Sequence, residues 1–151
     1  MPINNLNPEY QESQNSLLKK RVLKFEQLLE ALNEKEISES VLNVINVETD
    51  RLNKIQSKSA LPLQIQKSIQ EILKITEKEL NLVSENHYTF LWIVLGMAVF
   101  GLPIGILAAL ALDNLAFMSL GLGFGMAIGI SVGAYKDNQA NKEGRQIAFK
   151  K

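Results

Sequence analysis

Hydrophobic positions recur in two patterns along the chain. Up to about residue 83 they fall three and four apart, and from 88 to 135 they are nearly continuous. The first stripe is Leu17, Leu18, Val22, Phe25, Leu28, Leu29 and Leu32. That spacing places apolar residues on one side of a 3.6-residue turn and predicts an amphipathic helix. Asn15 or Ser16 is suited to cap its start. A break falls near Asn33–Glu36, and a second stripe follows with Ile37, Val41, Val44, Ile45, Leu52 and Ile55. Glu48 stands where this stripe calls for an apolar residue, with Thr49 beside it. Val and Ile also favour strands, so Val41–Val47 has a competing extended reading. The spacing and the charged flanks favour helix. Ser57–Pro62 reads as a turn, with Pro62 ending or starting a helix. The third stripe is Ile65, Ile69, Ile72, Leu73, Thr76, Leu80 and Val83. The expected fold class is therefore all-α. A three-helix bundle or coiled coil over 15–86 follows a flexible polar lead over 1–14.

The second pattern is different in kind. Tyr88–Leu112 is 25 residues without a charge, and Leu115–Tyr135 is another 21. About 20 apolar residues in a helix cross the roughly 30 Å hydrocarbon core of a bilayer. The two runs predict a transmembrane hairpin over 88–135, with spans 88–112 and 115–135. Asp113–Asn114 forms its tip. So short a connection makes the spans antiparallel neighbours, and Asp and Asn suit a turn because their side chains bond nearby backbone. Pro103 lies inside the first span and should kink it.

Charge changes the picture only when divided by segment. The formal net charge is +0 over 151 residues. Residues 1–87 carry 11 Lys/Arg and 13 Asp/Glu, whereas 136–151 carry five Lys/Arg against Asp137 and Glu143. A basic flank stays on the cytoplasmic side. The expected location is thus the cell membrane, multi-pass, with both termini cytoplasmic and 136–151 a basic tail. Tyr88, Trp92 and Tyr135 are expected as anchors at one membrane interface. No cleavable leader is expected, since Met1–Gln14 is polar. The cluster Lys19, Lys20, Arg21 and Lys24 reads first as a solvated face and second as a contact with anionic lipid.

Small residues stand out within the spans. Gly121, Gly125, Gly129 and Gly133 are each four apart, as are Gly101, Gly105 and Ala109. Rows of this kind let helices approach closely in lipid. A turn at 113–114 would set Gly105 against Gly121, Gly101 against Gly125, and Met97–Ala98 against Gly129. Gly123 lies off the row. The same face can instead join copies of the chain into an oligomer.

The stretch Gly121–Ile147, GLGFGMAIGISVGAYKDNQANKEGRQI, resembles bacterial glycine-zipper membrane proteins. Those chains pair two glycine-rich spans with a polar tail reading roughly Asp-x-x-Ala-x-x-Glu-Gly-Arg-Gln. Here the tail is Asp137, Ala140, Glu143, Gly144, Arg145 and Gln146. The resemblance covers about residues 90–147 and not the N-terminal helices. It implies a membrane location and no assigned activity, so it supplies no catalytic residues.

The chemistry of the remaining residues is sparse. There is no cysteine and a single histidine, His87. Neither a disulfide framework nor a clustered metal site is expected, and no nucleotide loop or nucleophile–base motif occurs. Expected cofactors, metal sites and catalytic residues are none. A basic face interleaved with aromatics, as nucleic-acid binding would need, is also lacking. The expected partners are the lipid bilayer, and a protein or a second copy through the N-terminal helices. The expected function is a non-enzymatic membrane protein anchoring a cytoplasmic helical interaction module. The alternative is a small oligomeric pore-former of holin or toxin type.

Overall fold

In a computed structural model the described residues are 3–150, less Glu12, Gln14, Gln56 and Lys58. Residues 1, 2, 12 and 14 of the expected lead, 58 of the expected turn and 151 of the expected tail lie outside them, as does residue 56. The chain is predominantly helical, with five helices and one two-stranded sheet among the described residues. It divides into two compact units.

The first unit is a three-helix assembly of α1 (Ser16–Asn33), α2 (Glu39–Asn53) and α3 (Leu61–Leu80). Each start has a local cause. Asn15 Oδ1 accepts from the N–H groups of Leu17 and Leu18 at 3.0 and 3.2 Å. Ser38 Oγ accepts from the Val41 N–H. Pro62 occupies the first turn of α3, where its missing N–H costs no helical bond. Pro62 thus starts a helix. Phe25, Leu18, Leu28, Leu32, Ile45, Leu52, Ile65 and Ile72 are fully buried between the helices. Leu17, read as part of the first stripe, is exposed because the buried row begins at Leu18. In α2, Leu42 is buried where Val44 is only half-buried.

Val41–Val47 is helical, not extended. Glu48 does not break α2, because its carboxylate accepts the Ser68 hydroxyl at 2.6 Å and pairs with Arg51 at 3.3 Å. Thr49 is buried, with its hydroxyl on the Ile45 carbonyl at 2.8 Å. A buried polar group supplied with a partner loses little on leaving water.

The polar lead departs from expectation. Its described residues pack onto the bundle. Leu6 and Tyr10 are buried in the core. The Asn4 and Asn7 N–H groups donate to the side-chain oxygens of Asn46 and Asn53, each at 2.8 Å. Asparagines of α2 thereby satisfy backbone that would otherwise need water.

The 136–151 segment also differs from a free basic tail. Helix runs on to Lys142, and Gln146–Lys150 forms strand β2, paired with β1 (Val83–Glu85). Ile147 and Phe149 alternate inward and join the first unit's core.

The second unit holds the two apolar helices. α4 spans His87–Ala111, and α5 spans Met118–Lys142 after a short 3-10 turn at Leu115–Phe117. Both are long and apolar enough to cross a membrane. Asp113 closes α4 in the left-handed region at φ 46°, and the Asn114 N–H returns to the Ala109 carbonyl at 3.0 Å. This is a C-terminal cap that satisfies an orphan carbonyl. Pro103 acts through the turn before it. Met97–Gly101 widens to a π turn, with the Leu102 N–H bonded five residues back to the Met97 carbonyl. A proline ring crowds the carbonyl four residues before it, and a wider turn relieves that crowding.

Candidate functional site: the small-residue seam

The buried residues of α4 are Gly96, Gly101, Gly105 and Ala109, and those of α5 are Gly121, Gly125, Gly129, Gly133, Asp137 and Ala140. The two helices thus meet almost entirely through residues without a large side chain. A Cβ added at Gly125 would stand 2.5 Å from the Gly96 carbonyl oxygen and 2.6 Å from the Gly101 nitrogen. One at Gly105 would stand 2.7 Å from the Met118 carbonyl oxygen. Backbone meets backbone along the seam, where dispersion and Cα–H contacts to carbonyls hold helices together. An added Cβ at Gly123 would meet nothing.

The register is interdigitated. Gly121 fits between Gly105 and Gly101, and Gly125 fits between Gly101 and Gly96. Gly129 fits between Gly96 and Trp92–Ile93, not opposite Met97–Ala98, where a constant spacing would put it. The π turn explains the shift. Its hydrogen bond spans five residues where an ordinary turn spans four, so Gly96, five before Gly101, falls into line with Gly101, Gly105 and Ala109. Sequence spacing in fours passes over Gly96 for this reason.

A carboxylate closes the seam. Asp137 follows Gly133 by four residues and is buried. Its Oδ1 accepts the Tyr88 N–H at 3.0 Å and its Oδ2 accepts the Thr89 N–H at 2.8 Å. These are among the unpaired donors at the start of α4, whose own N-cap residue, Asn86, makes no side-chain cap bond. Asp137 therefore caps a helix to which it does not belong, at the positive end of that helix's dipole.

The other residues of the tail motif shape the end of α5. Gly144 adopts φ 70°. Its N–H bonds the Asn141 carbonyl at 3.0 Å, and the Arg145 N–H bonds the Ala140 carbonyl at 2.9 Å. Those two bonds are a Schellman closure, and the left-handed glycine makes it inexpensive. Arg145 Nε donates to Glu143 at 2.6 Å, and Gln139 donates to the same carboxylate at 2.9 Å. Arg145 first, then Gln139, holds the Glu143 carboxyl below its ordinary value. The Arg145 guanidinium is raised by Glu143 and, less, by a hydrogen bond to the Tyr88 side chain.

Of the aromatics expected as anchors, Tyr135 is exposed while Tyr88 and Trp92 are half-buried. Gly133 lies on Tyr88–Thr89 and Gly129 on Trp92, so all three aromatics cluster at the Asp137 end of the hairpin. Lys136 Nζ stands 5.8 Å from the Trp92 ring centre, within cation–π range. His87 begins α4, edge-on to the Tyr88 ring at 5.1 Å.

The outward faces complete the description. Phe90, Val99, Leu107, Leu110, Leu115 and Phe124 are exposed, as are most other large apolar residues of both helices. Only 22% and 17% of the most apolar windows of the two helices are buried, unlike the core helices of a water-soluble protein. No protein-family model, curated protein or solved structure matches the chain.

Proposed function

We propose that this chain is a non-enzymatic integral membrane protein. Its glycine-zipper hairpin anchors a cytoplasmic helical module at the cell membrane, with both termini in the cytoplasm. The observation that carries this reading is the inverted packing of α4 and α5. Glycine and alanine face inward while Leu, Ile and Phe face outward. In water such a surface would aggregate, and in lipid it is solvated. The basic excess after Tyr135 and the uncharged tip support the orientation. The tail motif supports kinship with glycine-zipper membrane proteins, because Asp137, Ala140, Gly144 and Arg145 each complete the seam or end its second helix. The hydroxyls of Ser119 and Ser131 donate to carbonyls of their own turns, so neither helix offers a free polar stripe to line water. That favours an anchor over a pore.

Single cysteines at Asn4, Asn114 and Arg145 test the reading in intact cells with a membrane-impermeant maleimide. Labelling at 114 alone is the expected result. Labelling at 4 or 145 would reject the orientation, and rapid loss of membrane potential on induced expression would favour a pore.

A further inference from the structure

The first unit carries a groove that the anchoring role leaves unused. Its floor is apolar and buried, formed by Ile69 and Leu73 of α3 with Phe149 of β2. Arg21 and Lys24 of α1 also line it, as do Gln66 and Gln70 of α3. No carboxylate lines it. Among the described residues, neither Arg21 nor Lys24 has a hydrogen bond or ion pair, although both are half-buried. The open volume is about 140 Å³, comparable to cavities that accept one benzene-sized group. That is too small for an acyl chain and adequate for a phosphate with the methylenes bonded to it.

We propose that this groove binds the headgroup of an anionic membrane phospholipid. The phosphate meets Arg21 and Lys24, and the glycerol end lies on Ile69, Leu73 and Phe149. Arg and Lys beside amide donors match a phosphate by charge and by hydrogen bonding, with Arg able to engage two oxygens at once. The inference rests on reading α4 and α5 as membrane spans. Only six residues of chain lie between Lys142, the end of α5, and Phe149. Tethering of that length keeps headgroups at high effective concentration. Lys19 and Lys20 belong to the same basic cluster but are exposed and do not line the groove.

The test uses the full chain in a neutral detergent. It is titrated with dihexanoyl phosphatidylglycerol, dihexanoyl phosphatidylcholine and inorganic phosphate, and binding is read from the ring resonances of Phe149. Phosphatidylglycerol should bind at least about tenfold more tightly than phosphatidylcholine. Arg21→Gln and Lys24→Gln should each weaken it about fivefold, the usual contribution of one basic residue near an anionic surface. Lys19→Gln, the same charge change on the same helix, should alter it less than about twofold. Equal binding of the two lipids overturns the proposal, as does a Lys19→Gln loss matching that of Arg21→Gln. Inorganic phosphate binding as tightly as phosphatidylglycerol would mean a free-anion site. Displacement of phosphatidylglycerol by a short Glu-Leu-Glu peptide that binds more tightly would mean a peptide groove, and either outcome overturns it. Alkaline carbonate extraction separates the two readings. Release of the wild-type chain from membranes rejects the spans and the lipid site together. Retention with no preference between the lipids rejects the lipid site alone.

Discussion

The bundle and the hairpin are built from the same element and packed by opposite rules. In the bundle, Phe25, Leu28 and Ile72 are buried, and among the described residues only Leu17, Leu23, Val47 and Leu63 are exposed large apolar side chains. In the hairpin, Gly121, Gly125 and Gly129 are buried while Phe90, Leu110 and Leu115 are not. Bundle helices gain by removing apolar surface from water. On the proposed membrane reading the hairpin has no such gain available among lipid tails, and only close approach distinguishes a packed pair from a separated one. Hydrophobicity alone therefore does not say which face of a helix is the inner one. Residue size does, read together with how apolar the whole circumference is.

Substitutions that exchange the two rules should break the comparison most sharply. Phe25→Ala empties a fully buried site in the bundle, and should lower its stability by about 3–5 kcal/mol. A circular-dichroism melt of the full chain in detergent reads the loss. A change within 1 kcal/mol would mean that Phe25 is not a core residue. Gly125→Leu makes the reverse error by adding volume where backbone meets backbone. It should destabilise the hairpin by about 1–3 kcal/mol. Gly123→Leu, in open space, should stay within about 0.5 kcal/mol. If leucine has the same effect at 123 and 125, the seam is not a packing surface.

Smaller effects are expected at the closed end. Asp137→Ala removes the acceptor for two α4 donors and should cost about 0.5–2 kcal/mol, the range of a lost N-cap. Asp137→Asn keeps one acceptor oxygen and should fall between. Exchange of the Tyr88 and Thr89 amide protons is the direct readout, and unchanged protection in the alanine variant would reject the cap. The weakest effect is pH-dependent. Glu143 is held below its ordinary value of 4.5 chiefly by Arg145, so its contribution is present above pH 4.5 and fades as pH falls through the lowered value. Glu143 is exposed to solvent, and the change should be small. A Glu143→Gln chain should lack that acid-side component of the melting curve, and identical profiles would show that the pair adds nothing.

What was legible in the sequence follows the same division. The helical stripes, the turn at Asp113–Asn114 and the glycine rows depend on spacing within one element, and spacing is written in the chain. Four features were not read. Leu6 and Tyr10 lie in a polar stretch with no period, and the neighbouring backbone at Asn4 and Asn7 is held by asparagines more than forty residues away. Ile147 and Phe149 alternate over only five residues, beside a basic run that read as a flank. Gly96 joins the seam only through a π turn, which breaks the four-residue count. Asp137 looked like part of a charged tail, although it continues the row Gly121, Gly125, Gly129, Gly133 by the same step. Only that last signal was available to spacing alone.

The strand Gln146–Lys150 also bears on the order of events during synthesis. Ile147 and Phe149 belong to the core of the three-helix unit, yet the ribosome makes them after both apolar helices. Ile147 is the sixty-fourth residue added after Val83. At roughly 5–20 residues per second, that interval is about 3–13 s. For that time the nascent bundle has its helices but an unfilled place in its core. Completion of the bundle is thereby scheduled after translation of the whole hairpin.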